Sequence, residues 1–244
     1  MILVLGGTAE ARALAAGLVT EGREVVSSLA GRVSRPALPE GDVRVGGFGG
    51  VDGLVAYLVA ERIDLVIDAT HPFAAGISAN AAAASARTGV RLVRLERPGW
   101  RDHPGADGWT WVPDLPAALN AADGARRPFL TTGRQSLETF LPWADRDVLA
   151  RVVDPPAFPV PPRWTVLQAR GPYDYPAEHR LLSEHAVDVL VTKDSGGSHT
   201  AAKLAAADDL GVPVVVVERP PRPDVPTVAT VTAALDHCRA LRAS

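Results

Sequence analysis

"ILVLGGTAEARALA", residues Ile2–Ala15, decides the fold of this chain. Four apolar residues without polar alternation are followed by Gly6, Gly7 and Thr8. An alanine-rich stretch comes next, in which Ala11, Leu14, Ala15 and Leu18 fall on one face of a helix. A strand apolar on both faces, a tight turn and a helix open a βαβ unit, and such units build parallel sheets. Glycines in that turn let the backbone approach a pyrophosphate, and the helix N-terminus adds N–H groups and the positive end of a dipole. The letters stop short of a full GxGxxG, and Ala11 stands where the third small residue packs. Gly6, Gly7 and Thr8 are therefore candidates for a dinucleotide turn; a tight turn without a ligand would use the same residues.

Working outward, β-branched runs keep alternating with alanine-rich ones. Strands are expected at Glu24–Leu29, Asp42–Val45, Leu65–Asp68 and Arg91–Leu95, with helices at Val51–Arg62 and Phe73–Thr88. From Arg97 to Pro116 the composition shifts to Trp100, Trp109, Trp111, prolines and glycines, as in a crossing between two halves. The alternation then resumes. Strands are expected at Phe129–Thr132, Val148–Val153, Thr165–Ala169, Val187–Thr192 and Val214–Glu218. Helices are expected near Ser136–Phe140 and over Ala177–Ala186, Thr200–Leu210 and Val231–Leu241. The expected fold is α/β: two Rossmann-like parallel-sheet domains, residues 1–97 and 98–244, with a cleft between them. No sequence repeat relates the halves.

The 244 residues suffice for two domains. Hydrophobic residues make up 47% and charged residues 22%, as in ordinary globular proteins. A net charge of -3 without a basic run argues against nucleic acid as a partner. No apolar run approaches the length of a membrane span, and the first residues lack the basic region of a signal peptide. Cys238 is the single cysteine, which excludes an intrachain disulfide and fits a reduced, cytoplasmic setting. No HExxH spacing, GxSxG elbow or Tyr-x-x-x-Lys pair occurs, so neither a metal site nor a serine nucleophile is expected.

The strand ends supply the other candidates. NAD-binding folds usually carry a carboxylate at the end of the second strand, about 20 residues after the glycines, for the ribose diol. Here that place reads Ser27-Ser28-Leu29-Ala30-Gly31-Arg32. A hydroxyl at Ser28 and a cation at Arg32 suit a 2′-phosphate, which favours NADP(H); Arg32 as a solvated loop charge is the alternative. "GGFGG", Gly46–Gly50, adds Gly47 and Phe48 on the adenosine side. "IDATHPFA", Ile67–Ala74, places Asp68, Ala69, Thr70 and His71 at a strand's carboxyl end, where open α/β sheets bind ligands. Thr70 also reads as an N-cap of the next helix, and His71 as a structural histidine. The only two lysines, Lys193 and Lys203, lie in "LVTKDSGGSHTAAKL", Leu190–Leu204. Asp194-Ser195-Gly196-Gly197 opens a helix, so N–H groups and Lys193 face an anion there. Lys203 is expected on the solvent face of that helix.

Taken together, "LGGTAEARALA", "SLAGRV", "VRVGGFGG", "IDATHPFAAGISANA", "RLERPGW", "TTGRQ" and "TKDSGG…TAAKLAAADDLGVPVVVVERP" resemble the precorrin-6A reductase family of cobalamin biosynthesis along nearly the whole chain. The resemblance implies NADPH-dependent reduction of one double bond, precorrin-6A to precorrin-6B. A cobalt-containing substrate of the anaerobic route and a non-enzymatic NADP-sensing module stand as alternatives. It implies a tetrapyrrole partner bearing many carboxylates and transient contact with other corrin-pathway enzymes. Cofactor candidates are Gly6, Gly7, Thr8, Ser28, Arg32, Gly47, Phe48, Ala69 and Thr70. Substrate candidates are Arg97, Arg134, Lys193, Ser195, Gly196 and Gly197, with Arg101, Arg170 and Arg219 as further cations. His71, Lys193 and Asp194 are the candidates for the proton that must accompany hydride transfer, with water as the alternative.

Overall fold

The structure, a computed structural model, describes residues 1–31, 37–198 and 200–243. The chain opens with β1 (Ile2–Leu5), α1 (Ala9–Thr20), β2 (Val25–Leu29) and β3 (Asp42–Val45). Next come α2 (Gly50–Ala60), β4 (Leu65–Asp68), α3 (Ala75–Thr88) and β5 (Arg91–Leu95). The middle holds β6 (Thr110–Val112), α4 (Leu115–Ala121), β7 (Pro128–Leu130), a 3-10 helix at Arg134–Trp143, β8 (Leu149–Val152) and β9 (Thr165–Gln168). The last elements are α5 (Tyr175–Glu184), β10 (Val189–Lys193), α6 (Ala202–Asp209), β11 (Val214–Val217), β12 (Thr227–Val228) and α7 (Val231–Ala243). No helix among the described residues is long and apolar enough to cross a membrane.

The strands form two six-stranded sheets, ordered β12-β5-β4-β1-β2-β3 and β6-β11-β10-β7-β8-β9, with every pairing parallel. Five strands are wired alike in both, while the sixth is β12, from the end of the chain, in one sheet and β6, ahead of β7, in the other. From β1 the chain builds outward through β2 and β3, then returns to place β4 and β5 on the other side. From β7 it builds through β8 and β9, then places β10 and β11. Each sheet therefore has one point where strand order reverses, between β1 and β4 and between β7 and β10. Ligands in open α/β sheets bind beyond the strand ends at such a point.

The two compact units are Met1–Pro98 with Pro220–Ser244, and Gly99–Arg219. The expectation that 98–244 is one domain is corrected at its C-terminal end. β12 pairs with β5, Thr227 opposite Arg94, and α7 buries Ala234 and Cys238 against Leu14 and Leu18 of α1. The tail returns because the apolar face of α7 completes the core of the first sheet. The tryptophan-rich stretch marks one crossing; the second runs through Pro220, Pro221, Pro223 and Pro226. The sequence reading also passed over β6, β12 and α4. α4 nevertheless carries a plain start signal: Asp114 accepts the Ala117 N–H at 2.8 Å, with Pro116 in the first turn. The helix expected near Ser136–Phe140 is a longer 3-10 segment, and α3 starts at Ala75, after a turn in which the Ala74 N–H bonds to the His71 carbonyl at 2.8 Å. Pro72 occupies the second position of that turn, where its fixed φ is favourable.

Candidate functional site

In the first unit the turns after β1 and β4 flank the order reversal, and Thr8 ties them together. Its hydroxyl oxygen accepts the Ala11 N–H at 3.0 Å, capping α1, and its hydroxyl donates to the Ala69 carbonyl at 2.8 Å. The Ala69 N–H bonds back to the Leu5 carbonyl at 2.9 Å. The Gly6 N–H reaches the Ser28 carbonyl at 3.0 Å, which sets the glycine turn against the end of β2. Gly7 has φ +115, and a Cβ built on it would meet nothing within 4 Å. A side chain there would be strained and would stand in open space above the start of α1. This is the opening that a phosphate needs to reach backbone N–H groups at a helix N-terminus.

The β4 turn is held by charge. The buried Asp68 carboxylate accepts from the Thr70 N–H at 3.1 Å and from the Thr70 hydroxyl at 2.6 Å, and pairs with Arg94 at 3.2 Å. Arg94 also pairs with Glu96 at 2.5 Å, and Arg222 with Glu96 at 2.8 Å. Arg94 and Glu96 were not singled out from the sequence. The available signal was two charges inside an apolar strand, which stay buried only when paired. Thr70 does not cap α3, whose N-cap is Ala74 with no side-chain bond; its hydroxyl serves Asp68 instead. His71 Nδ1 accepts the Phe73 N–H at 3.2 Å, so the neutral ring carries its proton on Nε2. Thr8, Glu10, Ala69, Thr70, Pro72, Leu95, Glu96 and Arg97 line a concavity at the ends of β1, β4 and β5. Arg97, expected to bind substrate, belongs to this unit and pairs with Glu10 at 2.9 Å.

At the other side of this sheet, Ser28 and Arg44 are opposite one another in the β2–β3 register. The Arg44 guanidinium donates to Ser28 Oγ at 3.1 Å, to the Gly46 carbonyl at 2.7 Å and to the Gly47 carbonyl at 3.0 Å. It sits 3.9 Å from the centre of the Phe48 ring. Ser28, Gly47 and Phe48 thus converge, through a residue the sequence reading did not name. Arg32 lies outside the described residues.

The second unit repeats the arrangement with other chemistry. Lys193 ends β10, and its Nζ donates to Ser136 Oγ at 2.6 Å; the Ser136 hydroxyl donates to the Thr132 carbonyl at 3.0 Å. Burial lowers the Lys193 pKa to about 8. Arg134 follows Gly133 (φ +88) at the same turn, 4.0 Å from Asp154. Gly196 and Gly197 both take left-handed conformations, φ +65 and +70, and the Ser195 N–H bonds to the Lys193 carbonyl at 2.6 Å.

Asp194 is buried at 5% exposure. One of its oxygens accepts the Trp100 N–H at 3.0 Å, and the other lies 3.3 Å from Arg219 Nε. A Cβ on Gly99 would come within 2.5 Å of that carboxylate, so the crossing residue there must be glycine. The Trp100 indole N–H reaches the Gly197 carbonyl at 3.2 Å. Arg101 pairs with Glu218 and lies 3.8 Å over the Trp111 ring.

Lys203 corrects an expectation: it is 3% exposed, not on a solvent face. Its Nζ donates to the Thr200 carbonyl at 2.9 Å and lies 4.9 Å from the Trp100 ring centre. Burial, with Arg151 adding to it and Glu178 opposing it, lowers its pKa to about 7. Helical periodicity places it inward, and the buried Arg151–Glu178 pair at 2.8 Å lies within electrostatic reach. The structure therefore brings Gly6, Gly7, Thr8, Ala69, Thr70 and His71 to one reversal point and Arg134, Lys193, Asp194, Ser195, Gly196 and Gly197 to the other. His71 belongs to the first unit and Lys193 with Asp194 to the second.

Two parallel sheets of identical winding, the first with an open, N-capped glycine turn at its order reversal, define the Rossmann-like class of two-unit α/β proteins. Residues 1–239 match the family model described as "Precorrin-6x reductase CbiJ/CobK". The chain is 52% identical over 232 residues to a precorrin-6A reductase of Rhodococcus erythropolis, covering 94% of this chain and 92% of that one. It is 47% identical over 232 residues to the precorrin-6A reductase of Rhodobacter capsulatus, again 94% and 92%. A solved structure titled CobK precorrin-6A reductase superposes with a TM-score of 0.92 at 45% identity, over 98% of this chain and 96% of that one. The chain belongs to the precorrin-6x reductase family. It is an oxidoreductase of cobalamin biosynthesis, and its family is one that uses a nicotinamide cofactor.

Proposed function

We propose that this chain reduces precorrin-6A to precorrin-6B with NADPH, holding the coenzyme on the first unit and the tetrapyrrole on the second. The coenzyme assignment rests on one observation above others: Gly7, at φ +115, has open space where a Cβ would be, above the first turn of α1. Gly6, Gly7 and Thr8 hold the pyrophosphate, and Ser28, with no carboxylate at the end of β2, leaves room for a phosphorylated ribose. Gly47 and Phe48 border the adenosine side, and Ala69 and Thr70 the nicotinamide side. When bound, the coenzyme supplies the hydride.

The rest is the work of side chains. Lys193 and Arg134, beside the Ser195–Gly197 turn, suit carboxylate arms of the substrate: one is a compact cation, the other a planar fork. Asp194 acts as a positioning residue, because its oxygens already serve Trp100 and Arg219. The proton that joins the carbon beside the reduced one comes from His71, Lys193 or water, with Asp194 held in its positioning role. Cytoplasmic residence accompanies this reading.

The metal-free substrate is favoured over its cobalt form by sequence distance. A cobalt-precorrin-6A reductase of Priestia megaterium is 29% identical over 234 residues, against 52% for the Rhodococcus protein. Anaerobic incubation with precorrin-6A and NADPH should oxidise the coenzyme and yield a product heavier by two hydrogens. Turnover of cobalt-precorrin-6A with none of precorrin-6A would overturn the assignment, and coenzyme oxidation with neither would end the reading.

A further inference from the structure

We propose that Arg44 is the residue that reads the 2′-phosphate and so sets the preference for NADPH over NADH. The inference rests on the coenzyme placement above and adds a determinant that neither the glycine turn nor Ser28 supplies. Three observations carry it. The first is place. A dinucleotide whose pyrophosphate lies on the Gly6–Thr8 turn sends its adenosine ribose to the end of β2. Ser28 stands there, its carbonyl bonded to the Gly6 N–H at 3.0 Å and its hydroxyl to Arg44 at 3.1 Å.

The second observation is charge. Arg44 donates only to neutral acceptors, the Ser28 hydroxyl and the Gly46 and Gly47 carbonyls, and no carboxylate pairs with it among the described residues. The same unit pairs Arg94, Arg97, Arg87 and Arg222 with carboxylates. An arginine kept unpaired beside the ribose position leaves its positive charge for an incoming anion. The third is rigidity. Three hydrogen bonds and the Phe48 ring at 3.9 Å hold the guanidinium in one orientation, while two of its five N–H groups meet no acceptor among the described residues. A fork fixed in advance loses little freedom on binding a phosphate. The glycines follow from this: the carbonyls of Gly46 and Gly47 turn toward Arg44 because Gly46 adopts φ +117, which a side chain would resist.

The test is direct binding by calorimetry, independent of turnover. Wild type, Arg44→Gln and Arg44→Lys are titrated with NADPH, NADH, 2′-phosphoadenosine 5′-phosphate and AMP, with thermal melting as a check on folding. Wild type should bind NADPH more tightly than NADH. Arg44→Gln should weaken NADPH and the 2′-phosphorylated fragment by roughly 10–150-fold, leaving NADH and AMP within about twofold, the loss expected for one charge-assisted contact. Arg44→Lys, which keeps the charge without the fork, should fall between. An equal loss for phosphorylated and unphosphorylated ligands in either variant would mean that Arg44 only shapes the glycine loop, and the inference fails. Unchanged NADPH preference in Arg44→Gln would overturn it while the coenzyme assignment stands. Equal affinity of wild type for both coenzymes would instead overturn the NADPH assignment itself.

Discussion

The two order-reversal points are built on the same wiring and carry opposite charge. At the end of β4 stands Asp68, in register with Arg94 of β5; at the end of β10 stands Lys193, in register with Val217 of β11. The carboxylate–guanidinium lock is present in both, its carboxylate shifted by one residue and its guanidinium by two: Asp68 with Arg94 in the first unit, Asp194 with Arg219 in the second. The opening turns differ as well. Gly6-Gly7-Thr8 leads into an α-helix capped by a hydroxyl, whereas Thr132-Gly133-Arg134 leads into a 3-10 segment. The first turn offers backbone N–H groups and a dipole; the second offers side-chain cations. On the proposed reading one frame serves two anions of different kinds, a compact pyrophosphate that needs close backbone and dispersed carboxylates that need reach.

The largest difference between the two locks should appear on breaking them. Asp194→Ala removes the carboxylate that faces Arg219 and accepts the Trp100 N–H, in a site where Asp194 is 5% exposed, although Arg219 keeps its bond to the residue 194 carbonyl at 3.1 Å. Breaking a buried pair costs about 3–5 kcal/mol. Asp68→Ala should cost less, about 1–3 kcal/mol, because Arg94 retains Glu96 at 2.5 Å. Urea unfolding of both variants, compared at constant m, settles the order. Equal losses would show that the second carboxylate in the first unit does not share the load.

A second contrast lies in the turns. Gly7→Val should weaken NADPH binding by roughly 100-fold or more; the side chain meets open space, so the protein still folds, at some cost in melting temperature from the φ of +115. Coenzyme titration of the folded variant checks it, and normal binding would reduce the turn to a structural link. The strand, turn and helix that build this candidate site were legible in the sequence, because an apolar run, a glycine pair and an alanine-rich stretch are local signals that need no partner elsewhere; that Thr8 caps the helix was seen only in the structure. The alternation likewise revealed most strands and helices. The return of α7 to the first sheet was not legible: the inward face of Ala234 and Cys238 shows amphipathicity but not which sheet it covers. Nor were Arg44, Arg94 and Glu96, whose roles depend on cross-strand register. Lys203 misled because a lysine on a short helix suggests solvent, and only packing against Trp100 and the Arg151–Glu178 pair turns it inward.

In the second turn, Lys193→Ala should lower kcat/KM for the tetrapyrrole by roughly 10–150-fold, about 1.5–3 kcal/mol, with NADPH affinity unchanged. Lys193→Arg should restore it only partly, since a planar fork replaces a point charge. With the Lys193 pKa lowered to about 8, the cation is lost as pH rises through that value, so wild-type KM for the substrate should climb above pH 8. A flat KM through that range, or wild-type kinetics in Lys193→Ala, would remove this lysine from substrate binding.

The most gradual effect, spread over a pH window, reports on the buried second lysine. Unfolding exposes Lys203 to water and returns its pKa from about 7 to its ordinary value of 10.5. Between those limits the unfolded chain binds up to one more proton than the folded one, so this residue makes stability rise with pH. The contribution is complete above 10.5, declines as pH falls through the window, and levels off below about 7. Its steepest slope is one proton, roughly 1.4 kcal/mol per pH unit. Lys203→Met keeps the apolar stem over Trp100 and removes the titration. Subtracting the unfolding free energy of the variant from that of wild type cancels the tyrosines and Lys193, which titrate in both. That difference should rise with pH from about 7 toward 10.5 and be flat below 7. A difference constant across the window would show that Lys203 is as protonated when folded as when unfolded, with its charge met by the Thr200 carbonyl and the Trp100 ring.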